Sequence, residues 1–392
     1  MLFSFAMMIL VSVVFAMIMR KVGLPNLLGY LLTGIILGPF VFNVIDTTTF
    51  QISSDIRQIA LMIILMRAGL NLQISDLKKV GSSALLMCFV PASFEILGLM
   101  ILAPIFLHLD LLNAAILGTV LAAVSPAVVV PLMLRLMDEG YGTKEGIPQL
   151  IMAGASMDDV YVIVLFTSLL TLAKSGEFNA LSLLRIPTSI LFGIVSGIVL
   201  GYVLCKLYRL LKLPTGIELA RMFAIGMVLI VIERIMTGMI GFSGLLAIMA
   251  LTTTIRHIKL EMADKYSAVL AKLWQPAEIF LFALVGASVR IDYALSFGPI
   301  VLVVIILALI FRMLGVYLSI MKTKFNMKER IFTMGAYLPK ATVQAAIGGL
   351  ALEAGLASGE LILTAAVTAI LFTAPLRAIF ISLTYRNFLQ KV

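Results

Sequence analysis

The sequence predicts an all-α polytopic membrane protein of about thirteen transmembrane helices, arranged as inverted-topology repeats. Composition, long apolar runs and the placement of Lys and Arg support this fold class. Of 392 residues, 62% are hydrophobic and 12% charged, and the mean hydropathy is +1.14. A soluble domain is about 45–50% apolar and about 25% charged. The composition therefore excludes a soluble enzyme, a disordered protein and a nucleic-acid-binding protein.

Thirteen apolar runs approach the length of about 20 residues that a helix needs to cross a bilayer. Glycine, proline and charged clusters separate them. The runs are continuously apolar rather than alternating, which excludes a transmembrane β-barrel. The predicted helices 1–13 span 2–19, 25–42, 54–72, 80–107, 111–137, 145–173, 186–211, 217–238, 242–256, 266–289, 296–320, 330–356 and 360–385.

The basic residues in the loops and near the helix ends lie mostly on one predicted side of the membrane. The minor side holds Arg57, Lys174, Arg185, Arg234 and Arg290, and the major side holds Arg20, Lys21, Lys78, Lys79, Arg135, Lys144, Lys206, Arg209, Lys212, Arg221, Arg256, Lys259, Lys265, Lys272, Lys322, Lys324, Lys328, Arg330, Arg386 and Lys391. Cytoplasmic loops carry the excess of Lys and Arg. The sequence therefore predicts an external N-terminus and a cytoplasmic C-terminus.

Several ionisable groups fall near the midpoints of predicted helices, where burial in the bilayer is costly and a function is the default expectation. These residues are Glu95 in helix 4, Asp158 and Asp159 in helix 6, Arg312 in helix 11, and Lys340 in helix 12. Their helices form two blocks, 4–6 and 11–13, offset by seven. Because an odd offset inverts the second block, the pattern indicates inverted repeats with a site at the midplane.

Predicted helices 5 and 12 also contain helix breakers at this depth. Helix 5 reads AVSPAVVVP, with Ser125 before Pro126, and helix 12 reads YLPKATVQAAIGG, with Thr342 and Gln344 after Pro339. Proline removes a backbone donor and frees a carbonyl one turn earlier. Unwound backbone at membrane depth is tolerated where it lines a cavity or is buried in protein. Interruptions at matching positions predict a transport site, although an ordinary proline kink is the alternative for either helix alone.

Adjacent carboxylates at Asp158 and Asp159 are the sharpest signal for chemistry. Neighbouring residues on a helix point about 100° apart, so one can face a cavity while the other faces packed protein. A carboxylate that holds either a proton or a small cation couples the two fluxes by competition. We expect Glu95 and Arg312 to form a structural ion pair. Lys340 has two open roles: neutralising Asp158, or bonding the carbonyls freed at the break.

Three stretches resemble the monovalent cation:proton antiporter superfamily. They are residues 118–159, which include VSPAVVVP and end in MDD, residues 308–318 (ALIFRMLGVYL), and residues 338–355 (LPKATVQAAIGGLALEAG). The chain is most similar to bacterial relatives of animal sodium/hydrogen exchangers of subfamily B. The resemblance implies an NhaA-like antiporter fold with two crossed broken helices, a homodimer, and elevator-type movement of a core domain. The implied division is 1–79 (dimerisation helices 1–3), 80–174 (core helices 4–6), 175–292 (a linker and dimerisation helices 7–10) and 293–392 (core helices 11–13).

The resemblance also implies roles for particular residues. Asp159 matches the ion-binding aspartate of the family and Asp158 its neighbour, so both are expected Na⁺ ligands, with Ser125 and Thr342 as further site residues. Glu95 and Arg312 match an ion pair of the subfamily B relatives. Lys340, Gln344 and Pro126 are expected to support the site. Electrogenic bacterial members carry Lys where this chain has Arg312, which favours electroneutral exchange here.

The sequence thus predicts a secondary-active Na⁺ or Li⁺/H⁺ antiporter, not an enzyme, that serves pH homeostasis in a bacterial plasma membrane. Membrane lipids and a second copy are the expected partners, with no nucleic acid and no cofactor beyond the transported ions. K⁺/H⁺ antiport is the alternative within the same fold. A cation channel is a more distant alternative, because channels line their pores with repeated filter elements and none is found here.

Overall fold

A computed structural model describes residues 1–71, 82–175, 185–211, 213–236 and 241–391. Within these ranges the regular structure is helical, and extended backbone pairs at a single isolated bridge between Tyr141 and Lys391. The helices in chain order are α1 (Leu2–Lys21), α2 (Asn26–Leu37), α3 (Thr47–Gln51), α4 (Ser53–Asn71), α5 (Ser82–Met87), α6 (Val90–Leu107), α7 (Leu111–Ala122), α8 (Pro126–Asp138), α9 (Ile147–Ser175), α10 (Arg185–Leu211), α11 (Thr215–Met236), α12 (Gly244–Ile258), α13 (Leu260–Ala287), α14 (Ile291–Ile320), α15 (Met327–Ala336), α16 (Thr342–Ile347), α17 (Leu350–Glu353) and α18 (Gly359–Phe388).

The all-helical membrane architecture predicted from the sequence is confirmed. In the described residues, eight helical segments are long and apolar enough to cross a membrane, and α2, α7 and α12 are shorter apolar helices. Large apolar side chains such as Leu10, Leu295 and Leu383 are exposed on the outer surface. A helix that is apolar all round needs a nonaqueous environment on its outer face. The total of about thirteen transmembrane helices stays a prediction.

Polar caps fix where the two broken helices begin. The Asp110 carboxylate accepts a hydrogen bond from the Asn113 backbone at 2.7 Å and caps α7. Asn326 and Glu329 form a capping box at the start of α15, with reciprocal bonds of 3.0 and 2.9 Å. Such caps satisfy backbone donors that the first turn leaves unpaired. Both helices therefore start at defined positions and enter the protein toward their breaks.

Both predicted breaks are present. The first broken helix stops at Ala122, the end of α7. Ala123 and Ser125 then adopt extended backbone angles, and α8 starts at Pro126. Proline is well suited to that first position because its missing N–H has no helical partner there. The second broken helix stops at Ala336, the end of α15, and resumes at Thr342 with α16. Glycines 348 and 349 then separate α16 from α17.

A third interruption was not predicted. The segment expected as one helix over 80–107 stops at Met87, turns through Cys88 and Phe89, and restarts as α6. Pro91 explains the stop, because a proline ring clashes with the carbonyl four residues earlier and cannot donate to it. That carbonyl belongs to Met87. The interruption therefore leaves the Met87 oxygen available to a side chain.

The chain forms two compact units. Unit 1 comprises Met1–Arg57, Ser75–Val162 and Ile279–Val392, and unit 2 comprises Gln58–Ile74 and Ile163–Glu278. In unit 1, α6 packs against α14 and α7, and α18 packs against α14 and α15. In unit 2, α10 packs along α12, and a Cβ at Gly197 would lie 2.3 Å from the Ala247 carbonyl oxygen. Small residues permit such close approach of membrane helices. The division into dimerisation and core domains stays a prediction.

Candidate ion-binding site

Helix α9 carries both aspartates into the interior of unit 1. Asp158 is 0% exposed and Asp159 is 3% exposed. Asp158 Oδ2 accepts a hydrogen bond of 2.9 Å from the Val124 backbone, in the first break, and one of 3.0 Å from Arg312 Nη2. One carboxylate oxygen of Asp158 is thus held both by the first break and by α14.

Arg312 connects the two broken helices. Its Nε donates to the Tyr337 carbonyl at 2.8 Å, and its Nη1 donates to the Ala122 carbonyl. These oxygens lie at the C-terminal ends of α15 and α7, where helical carbonyls lack partners and positive charge is favourable. Nη1 also donates to Glu95 Oε2 at 2.7 Å. A planar guanidinium with five donors can serve all these acceptors at once.

The side chain of Lys340 pairs with Glu95, which belongs to neither of the two roles that the sequence left open. Its Nζ lies 2.6 Å from Glu95 Oε2, and its backbone N–H donates to Thr373 Oγ1 at 2.9 Å. Glu95 therefore sits between two cations. Lys340, Glu95, Arg312 and Asp158 form a chain of alternating charge whose formal charges cancel. Buried charges are tolerated when they are paired and hydrogen-bonded in this way.

Asp159 has a different environment. Among the described residues, neither Asp159 Oδ1 nor Asp158 Oδ1 has a hydrogen-bond partner, and both atoms are buried. An unsatisfied buried oxygen in a native fold calls for an explanation such as a catalytic role or a missing ion. Carboxylate oxygens are suitable ligands for hard cations. These two atoms can therefore accept a proton or contribute to holding a cation.

The remaining predicted site residues join the two breaks to each other. Ser125 Oγ lies 3.1 Å from Thr342 Oγ1, and Gln344 Nε2 donates to the Ala123 carbonyl at 2.8 Å. The Gln344 Oε1 atom accepts from the Ala341 backbone at 2.8 Å. Pro126 is the first residue of α8, and its side chain lies outside the described part of the structure. The polar residues of both breaks thus satisfy unwound backbone and one another.

Sequence reasoning missed Tyr337 and Thr373. Tyr337 is fully buried, donates from its hydroxyl to the Met87 carbonyl at 2.9 Å, and places its ring 5.1 Å from the Arg312 guanidinium carbon. Cations favour this position over an aromatic face. The signal for Tyr337 was Pro91, since proline frees the carbonyl that the hydroxyl binds. Thr373 lies in α18, where nothing in the apolar sequence marks it as a partner for the break.

Comparisons with known proteins show the family to which the chain belongs. A family model described as sodium/hydrogen exchanger, transmembrane, matches residues 7–386. The chain is 36% identical over 384 residues to human sodium/hydrogen exchanger 9B2, covering 94% of this chain and 70% of that protein. It is 35% identical over 367 residues to human sodium/hydrogen exchanger 9B1, covering 90% of this chain and 70% of that protein.

The fold is similar to a solved structure. The sodium proton antiporter MjNhaP1 from Methanocaldococcus jannaschii at pH 8 superposes with a TM-score of 0.84 at 19% sequence identity, covering 98% of this chain and 97% of that one. The predicted antiporter superfamily is confirmed by the family model and the relatives together. The family is one of transporters rather than enzymes, and this integral membrane protein belongs to the sodium/hydrogen exchanger family.

Proposed function

We propose that the protein exchanges Na⁺ or Li⁺ for H⁺ and that Asp159 is the carboxylate the two ions share. The difference between neighbouring aspartates carries this proposal. Asp158 is paired with Arg312 at 3.0 Å, within a chain of four charges that sum to zero. Asp159 is almost as buried, but among the described residues its carboxylate has no hydrogen bond and no ion pair.

Exchange follows from competition at this carboxylate. With a proton bound, Asp159 is a neutral acid; when Na⁺ binds, the proton leaves and the carboxylate holds the cation. Asp158 Oδ1 is the second unpartnered oxygen and contributes a further ligand. The Ser125 and Thr342 hydroxyls, at the meeting point of the breaks, are the remaining proposed site residues. Elevator-type movement of the core then exposes the loaded site to the other side.

One exchangeable carboxylate sets the stoichiometry. Arg312 stays charged throughout the cycle because a guanidinium is not deprotonated in proteins. Lys340 and Glu95 neutralise each other across 2.6 Å. One H⁺ is thus exchanged for one Na⁺, the charge of the loaded site is the same in both cases, and exchange is electroneutral.

The proposal includes an orientation and an assembly. The majority of Lys and Arg lies on the predicted cytoplasmic side, which puts the N-terminus outside and the C-terminus in the cytoplasm of a bacterial cell. Two copies associate through the helices in 1–79 and 175–292, while those in 80–174 and 293–392 carry the site. The physiological role is pH homeostasis.

A pH-gradient assay in proteoliposomes tests the function. Purified protein is reconstituted in vesicles with a trapped pH-sensitive dye and an acidic interior, and Na⁺, Li⁺, K⁺ or choline is added outside. We expect Na⁺ and Li⁺ to drive proton release and choline to have no effect. A response to K⁺ alone would show that the exchanged cation is K⁺ rather than Na⁺ or Li⁺. Cation flux that moves no protons would favour a channel and contradict antiport.

A further inference from the structure

Arg57, which the sequence counts among the cations of the external side, is buried. It lies in the second turn of α4, is 5% exposed, and its Nη2 contacts the Glu353 carboxylate at the end of α17. Ser54, one turn earlier on α4, donates to the other Glu353 oxygen at 2.7 Å. The start of α4 therefore holds the last residue of the second broken helix through two side chains.

The Arg57 guanidinium also occupies the space beside Gly349. A Cβ at that glycine would lie 2.5 Å from Arg57 Nη1. The backbone of Gly349 has φ −84° and ψ −14°, an ordinary conformation for any residue. A larger residue at position 349 would therefore be compatible with the backbone but would have to displace the guanidinium. Gly349, which the proposed transport chemistry does not use, thus provides the space that the buried guanidinium occupies.

These contacts bear on the ion site through α16. This helix has six residues, and a helix so short does not maintain its own structure or direction. At its N-terminal end, Gln344 ties it to the first break through the Ala123 carbonyl at 2.8 Å. At its C-terminal end, Gly349 and α17 lie against Arg57. The orientation of Thr342 and Gln344 depends on both anchors.

We propose that Arg57 is a positioning residue of the transport site, fixing the Gly349–Glu353 segment and thereby the placement of Thr342 and Gln344. This inference rests on the proposed function of that site. Arg57 touches neither Asp159 nor its unpartnered oxygen in the described contacts. Its effect on cation affinity is transmitted along α16.

A cavity beside Arg57 contains a second arginine that provides a matched control. A space of about 370 Å³ is lined by Arg57, Gly349 and Glu353 and also by Arg290 and Glu360. Arg290 is 45% exposed and pairs with Glu360 at 3.3 Å. Removing Arg290 deletes one positive charge from the same cavity without touching the broken helix. Any effect of local charge alone would therefore appear in Arg290→Gln as well as in Arg57→Gln.

The test compares Na⁺-driven proton release by wild type, Arg57→Gln, Gly349→Ala and Arg290→Gln in proteoliposomes, normalised to folded protein. We expect the Na⁺ concentration for half-maximal rate to rise about tenfold in Arg57→Gln, since small displacements of site groups are costly. Gly349→Ala should shift it in the same direction by displacing the guanidinium, and should add nothing in the Arg57→Gln background. Arg290→Gln should match wild type, and the charge swap Arg57→Glu/Glu353→Arg should restore affinity toward wild type.

Unchanged half-maximal Na⁺ concentrations in both Arg57→Gln and Gly349→Ala would overturn the positioning role, as would an equal shift in Arg290→Gln. A purely structural role would lower the yield of folded protein at constant affinity, and Gly349→Ala keeps the test valid if Arg57→Gln does not fold. Wild type and Asp159→Asn are measured in the same vesicles. Failure of wild type to exchange cations overturns the proposed function, whereas wild-type exchange with unshifted variants overturns only this inference.

Discussion

Asp158 and Asp159 are adjacent on α9 and almost equally buried, yet they have opposite surroundings. Asp158 Oδ2 accepts from the Val124 backbone and from Arg312, and belongs to a chain of charges that cancel. The Asp159 carboxylate has no hydrogen bond and no ion pair among the described residues. Under the proposed function, Asp158 is the charge that holds the broken helices together and Asp159 is the charge that is exchanged. Burial alone does not distinguish these two roles; hydrogen-bond partners do.

The largest expected effect is loss of exchange in Asp159→Asn. The amide keeps the size of the side chain but cannot release a proton or neutralise a cation. Folding should be unimpaired or improved, because the substitution removes a buried ionisable group that lacks compensation. Proton release in proteoliposomes and thermal unfolding in detergent measure the two properties. Near-normal exchange by this variant would contradict the assignment.

In contrast to Asp159→Asn, we expect Asp158→Asn to cause a large loss of stability. Removing one partner of a buried ion pair leaves the other charge uncompensated and costs about 3–5 kcal/mol. The amide oxygen still accepts from Val124, so the loss isolates the charge that faces Arg312. Thermal unfolding of the two asparagine variants, compared side by side, checks this. Equal unfolding temperatures would remove the distinction between the two faces of α9.

Arg312→Lys tests whether the contacts around Asp158 need a guanidinium or only a positive charge. Lysine keeps the charge, but a single ammonium cannot reach Glu95, Asp158 and the carbonyls of Ala122 and Tyr337 together. Leaving a buried acceptor without a donor costs about 1–3 kcal/mol. We expect lower stability with Na⁺-driven exchange retained. Wild-type stability in this variant would show that the helix-end carbonyls do not need the guanidinium.

Tyr337→Phe should have the smallest effect. It removes the hydroxyl that binds the Met87 carbonyl and keeps the ring against Arg312. The expected loss of stability is about 1–3 kcal/mol, because a single buried acceptor loses its donor. Exchange is retained, because Asp159 is untouched. Thermal unfolding and the proteoliposome assay both apply. A loss of exchange as complete as in Asp159→Asn would place Tyr337 in the ion site itself.

Much of this arrangement was predictable because membrane burial makes polar residues conspicuous. Pro126 and the Gly348–Gly349 pair marked the interrupted helices, and the helix midpoints put Glu95, Asp158 and Arg312 at one depth. The sequence also predicts the Glu95–Arg312 contact, which the structure has at 2.7 Å, but it does not predict the partner of Lys340. The partner of Lys340 depends on the direction in which the break between Pro339 and Thr342 turns, and spacing along the chain does not specify that direction.

Two further features differ from the sequence prediction for definite physical reasons. Pro91 marks the interruption at Met87, but the run around it is so apolar that it predicts one continuous helix. The sequence places Arg57 on the external side, at the start of predicted helix 3, and contains no local sign that the side chain is buried. Its burial depends on Glu353 and Gly349, nearly three hundred positions away. Long-range partners of this kind are absent from any local pattern.

If Asp159 is the single exchangeable carboxylate, one H⁺ moves for each Na⁺, and the transport stoichiometry measures this ratio. Vesicles with a fixed Na⁺ gradient and a K⁺/valinomycin-clamped potential are examined for the pH gradient at which proton movement reverses. We expect reversal where the proton gradient equals the Na⁺ gradient, at every potential, because one H⁺ is exchanged for one Na⁺. A reversal point that shifts with membrane potential would show that a second group titrates, and would contradict a charge chain in which Lys340, Glu95, Arg312 and Asp158 stay fixed.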